Sequence, residues 1–154
     1  AAVFGLRARD AEVCIYNRTA PTAQKLARQA GAKTIARTAI PKTQFDVVIH
    51  ATPVGMEGKS ILIDPKELNA KYLFEMVYNP AETPLVQAAR AKGVHIILGS
   101  EMFVHQGARQ FEIWTGKPAP VEEMHRIVSF ALAQQEKASS EVTKSPTKKT
   151  ARKR

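Results

Sequence analysis

A single cysteine, Cys14, stands among the 154 residues, so no intrachain disulfide can staple this fold. It lies in the apolar run Glu12–Tyr16 and reads as a small buried hydrophobe, not a reactive thiol. Long apolar runs are also lacking: none approaches the roughly 20 residues that a membrane helix needs. The N-terminus has no basic-then-apolar signal pattern, which predicts a cytoplasmic protein with no membrane partner. An initiator methionine is absent, and Ala1–Leu6 reads as the later turns of a helix with no capping residue before it; this predicts N-terminal truncation. Aromatic residues make up only 6% of the chain. None interleaves with a basic patch in the body, which argues against a nucleic-acid surface there. No metal site is expected.

What is present suits one globular domain, with 44% hydrophobic residues and enough length for a real core. The charge is uneven. From Lys137 onward there are seven basic residues and one acid, Glu141, so the tail carries +6 of the formal +9. The body is only mildly basic, and the high isoelectric point says little about what it binds. Past Glu136 the large apolar residues give out, apart from Val142. The expected division is a folded body over 1–136 and a disordered basic tail over 137–154. That tail alone favours a rival function, a non-catalytic module holding nucleic acid or another polyanion by weak contacts.

Along the body, β-prone runs alternate with helical periods. Strands are expected over Glu12–Tyr16, Lys33–Arg37, Phe45–Ala51, Leu73–Tyr78 and Val94–Leu98. The run Phe45–Ala51 is apolar enough to predict burial on both faces. Pro21 suits a first helical turn, with Gly31 closing that helix; Thr83-Pro84 opens another, which Gly93 ends. A helix after Gly99-Ser100 carries Phe103, Gly107, Phe111 and Trp114 on one face and stops at Gly116 and Pro118. Val121, Met124, Val128, Ala131 and Leu132 mark a last amphipathic helix. Such alternation predicts an α/β fold with a mostly parallel, doubly wound sheet. Ligands then bind at the carboxyl ends of the strands.

The strand exits carry the chemistry. At the first, the usual ribose-binding carboxylate of a dinucleotide fold is replaced by Asn17, Arg18 and Thr19. An amide, a guanidinium and a hydroxyl suit a phosphate ester, although a solvated turn would look the same. At the second, Gly55 in the loop Thr52–Met56 lets backbone approach a ligand closely. At the third and fourth, Tyr78 and Gln106 offer polar groups in apolar surroundings, the glutamine as donor and acceptor to a polyol. His50 invites an acid–base reading, but its place at the end of an apolar strand favours a supporting role.

Taken together, Asn17-Arg18-Thr19, ATPVGM at Ala51–Met56, EMVYNPAETPL at Glu75–Leu85 and GSEMFVHQGARQF at Gly99–Phe111 resemble the shikimate dehydrogenase family, in order and spacing, over about the first 130 residues. Gly99–Pro120 looks especially like the dehydrogenase half of fused dehydroquinate dehydratase–shikimate dehydrogenases. The resemblance implies a Rossmann-like fold and reversible reduction of 3-dehydroshikimate to shikimate with NADP, with a quinate/shikimate or bifunctional enzyme as the alternative. It assigns Asn17, Arg18 and Thr19 to the adenosine 2′-phosphate, Thr52 and Val54 to the cofactor, Met76 and Gly99 to the nicotinamide end, and Tyr78 and Gln106 to substrate. Three positions depart from the family's habit: Thr22 stands where a second basic residue often follows the Asn-Arg-Thr turn, with Lys25 the nearest substitute, Glu75 stands for an aspartate and His50 for an asparagine. The resemblance also implies that the glycine-rich loop, the first strand and a substrate domain with the catalytic Lys and Asp lie before Ala1. No residue of this chain is then catalytic. Monomer and homodimer are equally compatible with the sequence.

Overall fold

A computed structural model describes residues 1–57 and 59–144. The chain divides into two compact units, Ala1–Phe45 with Lys66–Asn69, and Asp46–Pro65 with the segment from Ala70 onward.

In the first unit, α1 (Ala2–Arg7) leads to β1 (Cys14–Ile15), α2 (Ala20–Ala30) and β2 (Lys33–Thr34). Pro21 sits in the first turn of α2, and Gly31 ends it in the left-handed region at φ 63°. A residue with a Cβ is strained there, which is why glycine stops the helix. β1 and β2 pair in parallel, Cys14 with Lys33 and Ile15 with Thr34. The helix buries Ala23 and Ala27. Cys14 is exposed, contrary to the sequence reading. β1 is two residues long and, among the described residues, pairs with β2 alone, so little covers it.

The second unit holds a sheet in the order β3-β4-β5, formed by β3 (Phe45–His50), β4 (Ala70–Glu75) and β5 (His95–Leu98). Phe45 N donates to Asn69 O and Met76 N to His50 O, each at 3.0 Å; both partners advance together along the chain, so β3 and β4 run in the same direction. β4 and β5 are parallel, with Tyr72 opposite His95 and Glu75 opposite Leu98. The Tyr72 and His95 rings meet at 5.2 Å, a cross-strand pair. α3 (Pro84–Ala91) links β4 to β5; α4 (Gly99–Thr115) and α5 (Val121–Lys144) follow. Leu73, Leu85, Val86, Ala89, Val104 and Ala108 form the buried core of this unit.

Several expectations shift. β3 is not buried on both faces, since Val47 is 43% exposed. β4 begins at Ala70 and ends at Glu75, so Tyr78 lies in the following loop. On α4 the buried side is Gly99, Val104 and Ala108; Phe103 is exposed and Trp114 is 79% exposed. Small residues let a helix approach its neighbours closely, and the aromatics are left outward. α5 continues through Lys144, past the boundary expected at Glu136, and keeps Val121, Met124, Val128 and Leu132 half-buried while Ala131 is exposed. The rest of the expected tail, residues 145–154, lies outside the described residues. Among the described residues no helix is long and apolar enough to cross a membrane, and no cluster of metal-ligating side chains is found.

Candidate functional site

The strand exits named from sequence fall into two groups. In the first unit, Asn17, Arg18 and Thr19 join β1 to α2, and all three are exposed. Asn17 Oδ1 accepts from Thr19 N at 2.8 Å, an Asx turn that fixes the loop and leaves the amide NH₂ facing outward. Thr19 is the N-cap of α2, yet its side chain makes no cap hydrogen bond. Arg90, Arg109 and Arg126 each pair with a glutamate; Arg18 has no carboxylate partner among the described residues. The turn thus brings together an exposed guanidinium, an exposed amide and the start of α2.

In the second unit a buried polar network ties the exits of β3 and β4 together. His50, Glu75 and Thr83 are each 1% exposed or less. His50 Nδ1 faces both carboxylate oxygens of Glu75, at 2.7 and 2.9 Å. An ionised carboxylate only accepts, so Nδ1 carries the proton. Val77 N donates to Glu75 Oε1 at 3.0 Å, and Thr83 Oγ1 donates to Oε2 at 3.1 Å. Thr83 is also the N-cap of α3, accepting from Val86 N at 3.2 Å. Three donors therefore satisfy a carboxylate that would be costly to bury alone.

The same network reaches the loop after β3. His50 Nε2 lies 2.7 Å from Thr52 Oγ1, and Val54 N donates to that oxygen at 3.3 Å. Thr52, half-buried, is thus held by its hydroxyl, and its loop turns through Gly55 at φ 92°. A Cβ on Gly55 would approach Ser60 O to 3.3 Å.

Met76 and Gly99 are neighbours. A Cβ on Gly99 would stand 2.6 Å from Met76 O, so only glycine lets α4 start against the exit of β4. Tyr78 stacks on Phe103, ring centroids 5.2 Å apart. Phe103 and Gln106 are one helical turn apart on α4, and Gln106 is exposed. The loop and the helix therefore present Tyr78 and Gln106 on one side of this unit.

The sequence reading named Glu75, Thr83 and Phe103 only as parts of a motif, a helix start and a helix face, and did not join them to the strand exits. The signal for the first lay in the run LFEMVY, where an acid inside an apolar strand demands partners.

Residues 99–128 match the model of the shikimate 5′-dehydrogenase C-terminal domain. The chain is 39% identical over 142 residues to the NADP(+) shikimate dehydrogenase of Methanocella arvoryzae, spanning 86% of this chain and 52% of that protein. It is 45% identical over 94 residues to the Archaeoglobus fulgidus enzyme, spanning 59% and 35%. The crystal structure of shikimate 5-dehydrogenase from Thermus thermophilus with NADP(H) and shikimate superposes with a TM-score of 0.78 at 27% identity, over 84% of this chain and 49% of that one. By these matches the chain is similar to the shikimate dehydrogenase family. Its α/β fold is the Rossmann-like one of those enzymes. The chain spans at most about half the length of these curated relatives.

Proposed function

We propose that this chain supplies the NADP-binding part of a shikimate dehydrogenase, in the reversible reduction of 3-dehydroshikimate to shikimate. The observation that supports the reading is the turn Asn17-Arg18-Thr19, exposed at the start of α2; a guanidinium there would attract a 2′-phosphate that a carboxylate would repel. Arg18 and Asn17 would hold the phosphate, and Thr19 would add a hydroxyl at the start of α2. In the other unit, Thr52, Val54, Met76 and Gly99 would take the nicotinamide end; the lack of space above Gly99 fits a site built from close backbone. NADP, when bound, supplies the hydride; the protein supplies orientation. Tyr78 and Gln106 would hold hydroxyls of the cyclic polyol. Acid–base residues are expected in the half that the relatives have in addition, and the site is expected to work in the cytoplasm.

The test is nucleotide binding by wild type and Arg18→Ala. Charge-assisted contacts to phosphate contribute about 1.5–3 kcal/mol, so the variant should lose roughly tenfold or more in NADP affinity and little in NAD affinity. An unchanged NADP/NAD ratio removes Arg18 from the reading. Turnover is checked by adding shikimate, with quinate as competitor, to the chain combined with the remaining half of a relative. Turnover by the chain alone at a relative's rate would refute the division of labour.

A further inference from the structure

Two loops assigned to the dinucleotide converge on one pair of buried side chains. Glu75 takes the amide of Val77, the residue after Met76. His50 takes the hydroxyl of Thr52, which in turn takes the amide of Val54. The two acceptors are joined by the contact of Nδ1 with both oxygens of Glu75. Neither residue faces solvent, so neither can touch a ligand directly. The site's shape nonetheless passes through them.

We propose that His50 and Glu75 are a positioning pair that sets the Thr52–Val54 and Met76–Val77 loops for the nicotinamide end of the cofactor, with His50 as the relay between them. The proposal rests on the dinucleotide reading above. The imidazole is suited to the task because its two nitrogens point in opposite directions. One holds the carboxylate at the end of β4, and the other holds the hydroxyl just beyond β3. An apolar residue of similar size would leave Glu75 short of a donor and Thr52 unheld.

The ring's two contacts can be separated by amides of different length. In His50→Asn the amide nitrogen falls near the position of Nδ1, so donation to Glu75 survives while Thr52 is released. In His50→Gln the amide reaches the position of Nε2, so Thr52 stays held while Glu75 loses its closest donor. Amide hydrogen exchange on the full 154-residue chain reads the consequence. The Val54 amide should exchange about tenfold faster in His50→Asn, with Val77, Leu73 and Val86 unchanged. The reverse, faster Val77 and unchanged Val54, is expected in His50→Gln. Wild-type imidazole nitrogen shifts should report a proton on Nδ1.

Binding gives the second readout. NADP affinity should fall about three- to tenfold in each variant. Affinity for adenosine 2′,5′-bisphosphate, which lacks the nicotinamide half, should hold. Equal loss for both nucleotides, or uniform acceleration of exchange across Val54, Val77 and Leu73, would mean general loosening and would overturn the proposal. Val54 exchange unaltered in His50→Asn would overturn it as well. Failure of the wild-type chain to bind either nucleotide would instead defeat the dinucleotide reading, and it is seen in a different measurement.

Discussion

Replacing Gly99 with alanine puts a methyl group 2.6 Å from the carbonyl oxygen of Met76, 2.8 Å from its carbon and 2.9 Å from the carbonyl oxygen of Glu75. Carbon contacts relax at about 3.5 Å or beyond, so the overlap is roughly 0.6–0.9 Å. All three obstacles are backbone. They cannot swing aside, and the segment they belong to is tethered: Met76 N donates to His50 O at 3.0 Å and Val77 N to Glu75 Oε1 at 3.0 Å. Relief therefore means displacing the exit of β4 or the start of α4. Overpacking of this kind costs about 1–3 kcal/mol, and the helix preference for alanine, at most about 1 kcal/mol, is small at a first helical residue. Gly107 provides the internal control. It lies on the same helix, and a Cβ there meets nothing within 4 Å, so Gly107→Ala should stabilise by about 0.5–1 kcal/mol. Urea unfolding followed by far-ultraviolet dichroism compares the two. If Gly99→Ala is as stable as the parent chain, the packing argument at the β4 exit is wrong.

Three further outcomes are expected. Thr83→Ala removes both an α3 cap and a donor to Glu75 and should cost about 1–3 kcal/mol in urea unfolding, whereas Thr83→Ser should lose far less; equal losses would rule out the hydroxyl. Gln106→Ala should raise the Michaelis constant for shikimate in the reconstituted enzyme and leave that for NADP nearly unchanged; two unaltered constants would make Gln106 a solvated residue only. The Lys71 ammonium, hydrogen-bonded to Asp46 at 2.7 Å, holds the Asp46 carboxyl below its ordinary range, chiefly through that hydrogen bond and then through charge. A lowered acid contributes stability above its unfolded value and loses it as pH falls through the folded one, here below about pH 4. Lys71→Met should bring Asp46 titration, followed by carboxyl carbon resonances, back upward, and added salt should do so in part; an unmoved titration would show that the pair is not formed in solution.

Much of the fold was legible because its punctuation is strong. Pro21 and Gly31 bracket α2, Thr83 and Pro84 open α3, and Gly116 closes α4, each through a conformational demand that few other residues meet. β4 was misplaced because the reading followed apolarity into Met76–Tyr78. The strand instead begins at Ala70 and takes in Lys71 and Tyr72, both exposed, with its ladder to β5 opening at Tyr72. A strand is fixed by its partner's register, which the strand's own residues do not encode. The face that Phe103, Gly107, Phe111 and Trp114 share on α4 is not the buried one, for a similar reason: Val104 and Ala108 are buried, while Phe103 and Trp114 are exposed. The motifs at the strand exits could be read, since turns use a restricted set of residues. The buried network could not be assembled in advance. His50 and Glu75 are far apart in sequence, and only parallel pairing of their strands brings an imidazole onto a carboxylate.

Trp114 is the only tryptophan in the sequence, and at 79% exposure its indole is bathed in water near the end of α4. The molecule thus carries a built-in optical probe. Its emission should lie toward the red, with easy quenching by iodide or acrylamide, for as long as that helix end stays bare. Whatever settles over α4 will shift the light toward the blue and shield it from the quencher. Coverage of this surface can be followed without attaching a label, and without knowing beforehand what does the covering.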